Sequence, residues 1–487
     1  MTAASTALTP PPADAAARPR PSNRAVLTGT LLALFLAAMD STIIGTILPD
    51  IKRSLPGVAY YPWVVSGFIL ATVLIAPLAG RAADLFGTRR MFLAFVAVFL
   101  AGSLAAGVVQ TMLQLVAARI VQGFGAGGIS VLAYVTFAQI FDVEKRAKMQ
   151  GLLSGVWGIA AIAGPAVSSL ITRQWGWQWV FYINIPLCLA AVVMLRNLPS
   201  TAAAPNEARR LDLPGLALVS TSILSTLLVV MMPADTTDLP WLVLLIGIAA
   251  ITAGLFVRHL RRHPHESVID IAFFADAGLR AQSIIVVASA LVMYTSVTLV
   301  PQFLQEVRGD TVVQSGMVVM FAAIGWVLGA SVGGQVLARL GFKKLNTLGL
   351  LGLGVGSALL TVLGSETPIV VGYVSQALIG AGIGQISIAA LLLAQQSLPA
   401  SRVGVATANV QLLRNIGAVF GVNVFVAIAV RGISGHAAEL GLAARNAAEV
   451  SLAAAGYHRS FVGMVVVIIV AAPWLIAIPN ARKEQTS

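Results

Sequence analysis

Charged side chains are scarce in this chain. Asp, Glu, Lys and Arg make up 10% of its 487 residues, where a soluble domain averages about 25%. Acidic residues are the scarcer kind, 19 against 31 Lys and Arg. The shortage excludes a soluble globular protein. Cysteine is nearly absent: Cys188 stands alone in an apolar run, which excludes an intramolecular disulfide and a cysteine-based metal cluster. No His, Glu or Asp grouping has metal-ligand spacing, no nucleophile–base pair stands out, and no Walker sequence is present. The chain therefore reads as neither an enzyme nor an ATP-driven device, and no cofactor is expected. A net charge of +12 would suit nucleic acid, but the basic residues fall in short clusters between apolar runs, as topology determinants do. Nucleic acid is not an expected partner.

What is present is apolar length. The chain is 58% hydrophobic with a mean hydropathy of +0.88. Its apolar runs are continuous and about twenty residues long, the length of a membrane-crossing helix. A β-barrel would alternate over about ten residues. The fold class is an all-α membrane protein. Fourteen spans are expected, centred near Leu36, Leu70, Val98, Gly125, Ile159, Leu187, Ser222, Leu245, Leu291, Gly325, Gly354, Gly382, Gly417 and Val467. The division is a disordered tail (1–24), a six-helix bundle (25–198), a linker with two inserted helices (199–262), a second six-helix bundle (263–480) and a tail (481–487). The longer external connection, 432–459, is Ala-rich, with room for a short helix. Of the Lys and Arg residues, 22 fall in segments on the side of the N-terminus, seven on the other side, and two, Arg119 and Arg414, inside spans. That asymmetry places both termini in the cytoplasm.

The stretch 31–51 poses the functional question. It is long and apolar enough to cross a bilayer, yet holds Asp40 near its middle. A charge at the bilayer centre costs about 2.5–3.5 kcal/mol on insertion scales, so such a residue is a functional-site hypothesis by default. Arg119, inside the fourth span, is the natural partner, the alternative being a guanidinium that snorkels to the interface.

The sequence also repeats itself. Gly80-Arg-Ala-Ala-Asp84-Leu-Phe-Gly87-Thr-Arg89-Arg90 aligns without gaps with Gly334-Gln-Val-Leu-Ala338-Arg-Leu-Gly341-Phe-Lys343-Lys344. The run Arg119-Ile-Val-Gln122-Gly123-Phe-Gly125-Ala-Gly127 aligns with Gln376-Ala-Leu-Ile-Gly380-Ala-Gly382-Ile-Gly384. Spans one to six and nine to fourteen are thus two copies of one unit. Parallel repeats about an axis along the membrane normal are a transporter architecture, with the site at their interface.

Four motifs follow in order. In the loop at Gly80–Arg90, glycines permit tight turns, and Asp84 can cap a helix or pair with Arg. Gly123 and Gly127 form a face for close helix contact. The fifth span carries Gly151, Gly155, Gly158 and Gly164-Pro165, small residues for close approach and a proline that bends the helix. Trp177-Gln178-Trp179 opens the sixth, a pair suited to interface anchoring. Together with Asp40-Ser-Thr-Ile-Ile-Gly45-Thr-Ile-Leu-Pro49, these resemble the major facilitator superfamily, in its fourteen-helix drug:proton antiporter branch. The resemblance spans nearly the whole chain outside the tail. Gly45 stands where that branch usually has Asn, Gln178 where Arg is usual, and Ala160 and Ser168-Ser169 replace glycines of the antiporter motif.

The resemblance implies a major facilitator fold of two six-helix bundles plus two inserted helices, in the cell membrane and monomeric. It implies export of amphipathic, often cationic, drugs or dyes by alternating access, driven by protons. Asp40 and Arg119 would couple protons. Gly80, Asp84, Gly87, Arg89 and Arg90 would form a conformational latch, and Gly151, Gly155, Gly164 and Pro165 the antiporter motif. Gln122, Tyr294, Gln376, Gln385, Asn409, Gln411 and Arg414 would line the substrate cavity. Membrane lipids, protons and the substrate are the expected partners. Export of a lipid, siderophore or other metabolite, symport, and a non-transporting scaffold are the alternatives.

Overall fold

A computed structural model describes residues 23–57, 60–141, 143–199, 212–231, 239–263, 274–310, 312–398, 403–430 and 447–480. Among these the chain is helical, with no strand. The first half comprises α1 (Asn23–Ser54), α2 (Tyr61–Phe86), α3 (Thr88–Gly107), α4 (Met112–Ile140), α5 (Val143–Trp175), and the short α6 (Trp179–Tyr182) leading into α7 (Asn184–Leu195). Two inserted helices follow, α8 (Leu213–Met231) and α9 (Leu239–Arg262). The second half begins with α10 (Ala277–Glu306). Next, Val312–Thr361 is two helical stretches broken at Gly341, here α11 (312–340) and α12 (342–361). Then come α13 (Val370–Ser397), α14 (Val403–Val430) and α15 (Ala447–Ala471), which ends in a 3₁₀ turn, Ala472–Ala477. Nine described helical segments are long and apolar enough to cross a membrane, and two shorter apolar ones accompany them. The exact count of fourteen is still a proposal.

Helices are the only open-ended way to satisfy backbone groups in lipid, and local chemistry sets their ends. α4 begins with a reciprocal capping box, in which the Gln114 N–H donates to Thr111 Oγ1 at 3.3 Å and the Thr111 N–H to Gln114 Oε1 at 3.2 Å. Asp276 caps α10 by accepting from the Leu279 N–H at 2.9 Å. Asp212 caps α8, accepting from the Gly215 N–H at 2.8 Å. The same carboxylate meets His259 near the end of α9 at 2.7 Å, so one acid both starts α8 and ties it to α9.

The expected repeat holds in three dimensions. Gly87 (φ 89°) separates α2 from α3, and Gly341 (φ 74°) separates α11 from α12. Both are left-handed positions that favour glycine. A Cβ on Gly123 would land on the Phe68 carbonyl of α2, and one on Gly125 on the Phe99 backbone of α3. In the second half, a Cβ on Gly380 would land on the Ala322 carbonyl of α11, and one on Gly382 on the Gly349 carbonyl of α12. Each half therefore seats its fourth helix on its second and third through matched glycines.

α8 packs through Val219 against Val73 of α2 and Leu412 of α14. α9 lies outermost, exposing Leu239, Trp241, Val243, Leu244, Ile246 and Ile251. An apolar outer face of that extent suits lipid. Several boundaries differ from the sequence expectation. Asn23 and Arg24 belong to α1 rather than the tail, and residues 447–459 belong to α15 rather than a loop, because the Ala-rich stretch continues the helical run. The rest of both tails, residues 200–211 of the linker and residues 431–446 lie outside the described residues.

Candidate functional site

Asp40 on α1 and Arg119 on α4 are 2% and 1% exposed, and Arg119 Nη1 donates to Asp40 Oδ2. The snorkelling alternative is thereby set aside. A buried ion pair withstands desolvation only when further hydrogen bonds satisfy both partners, and here they do. Arg119 Nη1 also donates to Gln122 Oε1 at 2.6 Å, and Gln122 Nε2 to Asp40 Oδ1 at 2.8 Å. Asn184, at the start of α7, donates through Nδ2 to Ser103 Oγ at 2.9 Å and reaches Asp40 Oδ1 at 3.4 Å. Ser103 on α3 donates to the Phe181 carbonyl at 2.9 Å. The guanidinium lies 4.0 Å from the centre of the Phe68 ring, a cation–π contact. Side chains of α4 and α7 thus converge on the one carboxylate of α1, and Ser103 of α3 braces two of them, accepting from Gln122 Nε2 at 3.3 Å and from Asn184 Nδ2. Asp40 and Asp212 are the buried carboxylates among the described residues, and Asp212 sits at a helix start.

Gln122, expected in the substrate cavity, instead belongs to this cluster and is fully buried. The reason is periodic: three residues on from Arg119, it shares that residue's helix face. Ser103 and Asn184 were not singled out as site residues by their sequence context.

The second assembly is where the halves meet. The Gly404 and Val405 N–H groups, in the first turn of α14, donate to Asp84 Oδ1 and Oδ2, each at 3.0 Å. A carboxylate on the first half thus caps a helix of the second, a favourable place for negative charge. Close approach makes this possible, since a Cβ on Gly80 would land on the Gly404 carbonyl oxygen. Arg89 is half-buried and Arg90 exposed at the start of α3. Further along, Gly158 of α5 faces Val327 of α11, and a Cβ there would sit 3.0 Å from Val327 Cγ2. Gly155 faces the same valine with more room, and Gly164 is buried. The surroundings of Gly151 and Pro165 lie outside the described residues. Of the tryptophan pair, only Trp179 is exposed. Trp177 is buried and donates to Ser54 Oγ at 2.8 Å, so it braces α1.

The expected cavity residues divide. Gln411 and Arg414 line a narrow space between the halves with Tyr134 of α4, Trp326 of α11 and Ser387 of α13. Arg414 Cζ lies 5.7 Å from the centre of the Trp326 ring, and Tyr294 meets that ring edge-on at 6.5 Å. Gln385 is on α13, its Oε1 without a hydrogen-bond partner among the described residues. Gln376 is committed to α10: its Nε2 donates to the Ser296 carbonyl at 3.1 Å, and Ser296 Oγ donates to its Oε1 at 3.2 Å. Asn409 faces a different space, an apolar lateral cavity of about 350 Å³ between α2, α8, α9 and α14. Neither amide atom of Asn409 finds a partner among the described residues.

Comparison with known proteins gives a consistent picture. The family model described as Major Facilitator Superfamily matches residues 30–422. The multidrug transporter protein MdtP of Bacillus subtilis (strain 168) is 29% identical over 406 residues, 83% of this chain and 74% of that protein. Multidrug resistance protein 3 of the same organism is 27% identical over 409 residues, 83% of this chain and 79% of that one. Among solved structures, the proton:xylose symporter XylE superposes with a TM-score of 0.64 at 14% identity, over 94% of this chain and 96% of that one. At that identity the likeness concerns the fold.

Proposed function

Since the chain belongs to the major facilitator superfamily, a family of multi-pass membrane transporters of small molecules, we propose that it exports amphipathic small molecules in exchange for protons, by alternating access. The observation that carries this reading is the buried Asp40–Arg119 pair with its ring of amides and hydroxyls. A carboxylate retained there at a cost in insertion is the natural proton carrier. It takes a proton from one side when the pair opens and releases it to the other when the pair re-forms. The names of two relatives, a multidrug transporter and a multidrug resistance protein, support drugs as cargo.

The Asp84 latch supports the alternating part. In this arrangement the halves are fastened at the end carrying Asp84, and transport requires that bond to break once per cycle. On the proposed topology that end is cytoplasmic, in the cell membrane, so the arrangement is closed to the inside. No cofactor is required, and one chain is the working unit.

Reconstitution into liposomes with an imposed pH gradient, a mixed amphiphile panel and an internal pH dye tests the reading. Expected is substrate-dependent proton movement that disappears when the gradient is collapsed. Substrate movement indifferent to the gradient would overturn proton coupling. A second reading, export of a lipid or other long apolar metabolite, is favoured by the lateral cavity at Asn409. Release of a labelled phospholipid in the same liposomes would select it.

A further inference from the structure

The inserted pair α8–α9 roofs the lateral cavity, and one buried amide points into it. The space measures about 350 Å³, within the usual range of ligand pockets, about 300–1,000 Å³. Its wall is mostly apolar, with Val73 of α2, Val219 and Ile223 of α8, Phe256 and Leu260 of α9, and Phe420 of α14. On α14 the lining runs from Asn409 to Phe420, about 16 Å along the axis. Asn409 is central to that face, since Leu412, Leu413, Ile416 and Phe420 follow it at helical spacings. Gln411 and Arg414 point to the other side of the helix, into the space between the halves. Asn409 is 1% exposed, and neither its Oδ1 nor its Nδ2 has a hydrogen-bond partner among the described residues. Asn415, the other amide on the wall, is half-buried. The wall's hydroxyls are already engaged: Ser222 donates to the Ala249 carbonyl at 3.2 Å, and Thr226 to the Ser222 carbonyl at 2.7 Å. Val257 and Phe420, at the edge, are 46% and 37% exposed, so the cavity opens sideways toward lipid.

We propose that this cavity binds a neutral single-chain amphiphile whose head both donates and accepts hydrogen bonds at Asn409, a fatty amide or an undissociated fatty acid. A side-chain amide has one acceptor atom and two donor hydrogens, and burying them unanswered is costly. A carboxamide or carboxylic acid head answers both sides in one two-bond ring. An ester accepts without donating and leaves Oδ1 unanswered. An ionised head finds no counter-charge, since nothing charged is among the lining residues, and burial penalises charge. Asn409 stands at the Asp84 end of the lining, so the head lies at that end and the tail runs toward Phe420. An extended alkyl chain advances about 1.2 Å per bond, as an extended backbone does, so about twelve to fourteen carbons match the lining. Bilayer lipid is as apolar as the cavity, so the chain alone gains little by entering. The hydrogen bonds at Asn409 therefore supply the selectivity. The inserted pair thereby has a role of its own, closing a ligand site beside the two bundles. The site lies on the far side of α14 from the space between the halves, and the proposal rests on neither export reading.

The test uses the full chain in phospholipid nanodiscs and a dodecanamide carrying a mid-chain diazirine. Mass spectrometry of the digested chain locates the photo-adducts, which are expected on the segments of α8, α9 and α14 that line the cavity. Unlabelled dodecanamide should compete at about tenfold lower concentration than methyl dodecanoate, the worth of answering the second side of the amide. It should also raise the melting temperature of the wild type. Asn409→Leu should remove the tenfold difference between the two competitors. Its own melting temperature should equal or exceed the wild type's and no longer respond to dodecanamide, because no buried amide is left unanswered. Val219→Phe, which narrows the cavity from α8 and leaves Asn409 in place, should lower the labelling independently. Equal competition by the methyl ester would make the space an ordinary groove for bilayer chains and overturn the assignment. So would adducts spread evenly over the outer helix faces, or a folded Asn409→Leu chain that keeps the tenfold preference. Labelling and melting are read without transport, so liposomes lacking proton-driven export would sink the export reading and leave this site standing.

Discussion

The two halves solve one packing problem with different chemistry at their centres. In the first, α1 meets α4 through Asp40 and Arg119. In the second, α10 meets α13 at the corresponding place through Ser296 and Gln376, an uncharged pair that exchanges two hydrogen bonds. The glycines around them are matched, Gly123 with Gly380 and Gly125 with Gly382, so the scaffold does not demand the charges. A neutral pair suffices to join these helices. The ionic pair is then explained by something the second half does not do, and proton transfer is the candidate. The latch has the same asymmetry: Asp84 caps α14, whereas its counterpart Ala338 is exposed.

Breaking the charge balance in the first half should have the largest effect. Asp40→Asn leaves Arg119 charged and buried without its acid, a loss of roughly 3–5 kcal/mol, seen as a lower melting temperature in detergent and poorer expression. Arg119→Gln should cost less, because a stranded carboxylate can neutralise by taking a proton whereas a guanidinium cannot lose one. Ser296→Ala, at the matching place in the second half, should cost only about 0.5–1.5 kcal/mol. If all three cost the same, the halves do not differ in the way described.

The shared scaffold is tested by equal treatment. Gly127→Ala and Gly384→Ala each push a methyl into a facing helix, of α2 and α11 respectively. Each should destabilise by about 1–3 kcal/mol, as overpacking does. A large cost in one half alone would deny the structural repeat.

Asp84→Ala should cost less again, about 0.5–2 kcal/mol, as loss of a helix cap does, and should slow transport by weakening one conformer. Ala338→Ser should be within about 0.5 kcal/mol of wild type, with transport unaltered. The check is initial transport rate beside melting temperature. The smallest structural effect is expected from topology labelling. Thr88 at the loop is fully buried and accepts from Gln139 Nε2 at 2.8 Å, so the exposed Arg90 is the better site. In a Cys188→Ala background, Arg90→Cys should resist an impermeant reagent in intact cells and react after permeabilisation. Labelling in intact cells would invert the proposed orientation.

Much of this contrast was legible in the sequence, and its limits have physical causes. Asp40 and Arg119 stand out because charge in an apolar run is costly, and the loop repeat fixed the pairing of Gly87 with Gly341. Ser103 was hidden because membrane serines commonly bond within their own helix, as Ser283 does to the Leu279 carbonyl at 2.8 Å. Only the fold reveals that Ser103 reaches α7. The polar residues of α14 read as one broad stripe. At about 100° per residue, however, Gln411 and Arg414 lie close together on the helix and Asn409 well away from both, which is why they face separate cavities.

The most direct test of the central claim converts the first half into the chemistry of the second. A double variant, Asp40→Ser with Arg119→Gln, installs the neutral pair already tolerated between α10 and α13. It should be more stable than Asp40→Asn alone and should still bind substrate. In liposomes with an internal pH dye, it should carry substrate down its own gradient with no accompanying proton movement and fail to export uphill. A folded double variant that still moves protons with substrate as the wild type does would contradict the assignment of coupling to the Asp40–Arg119 pair.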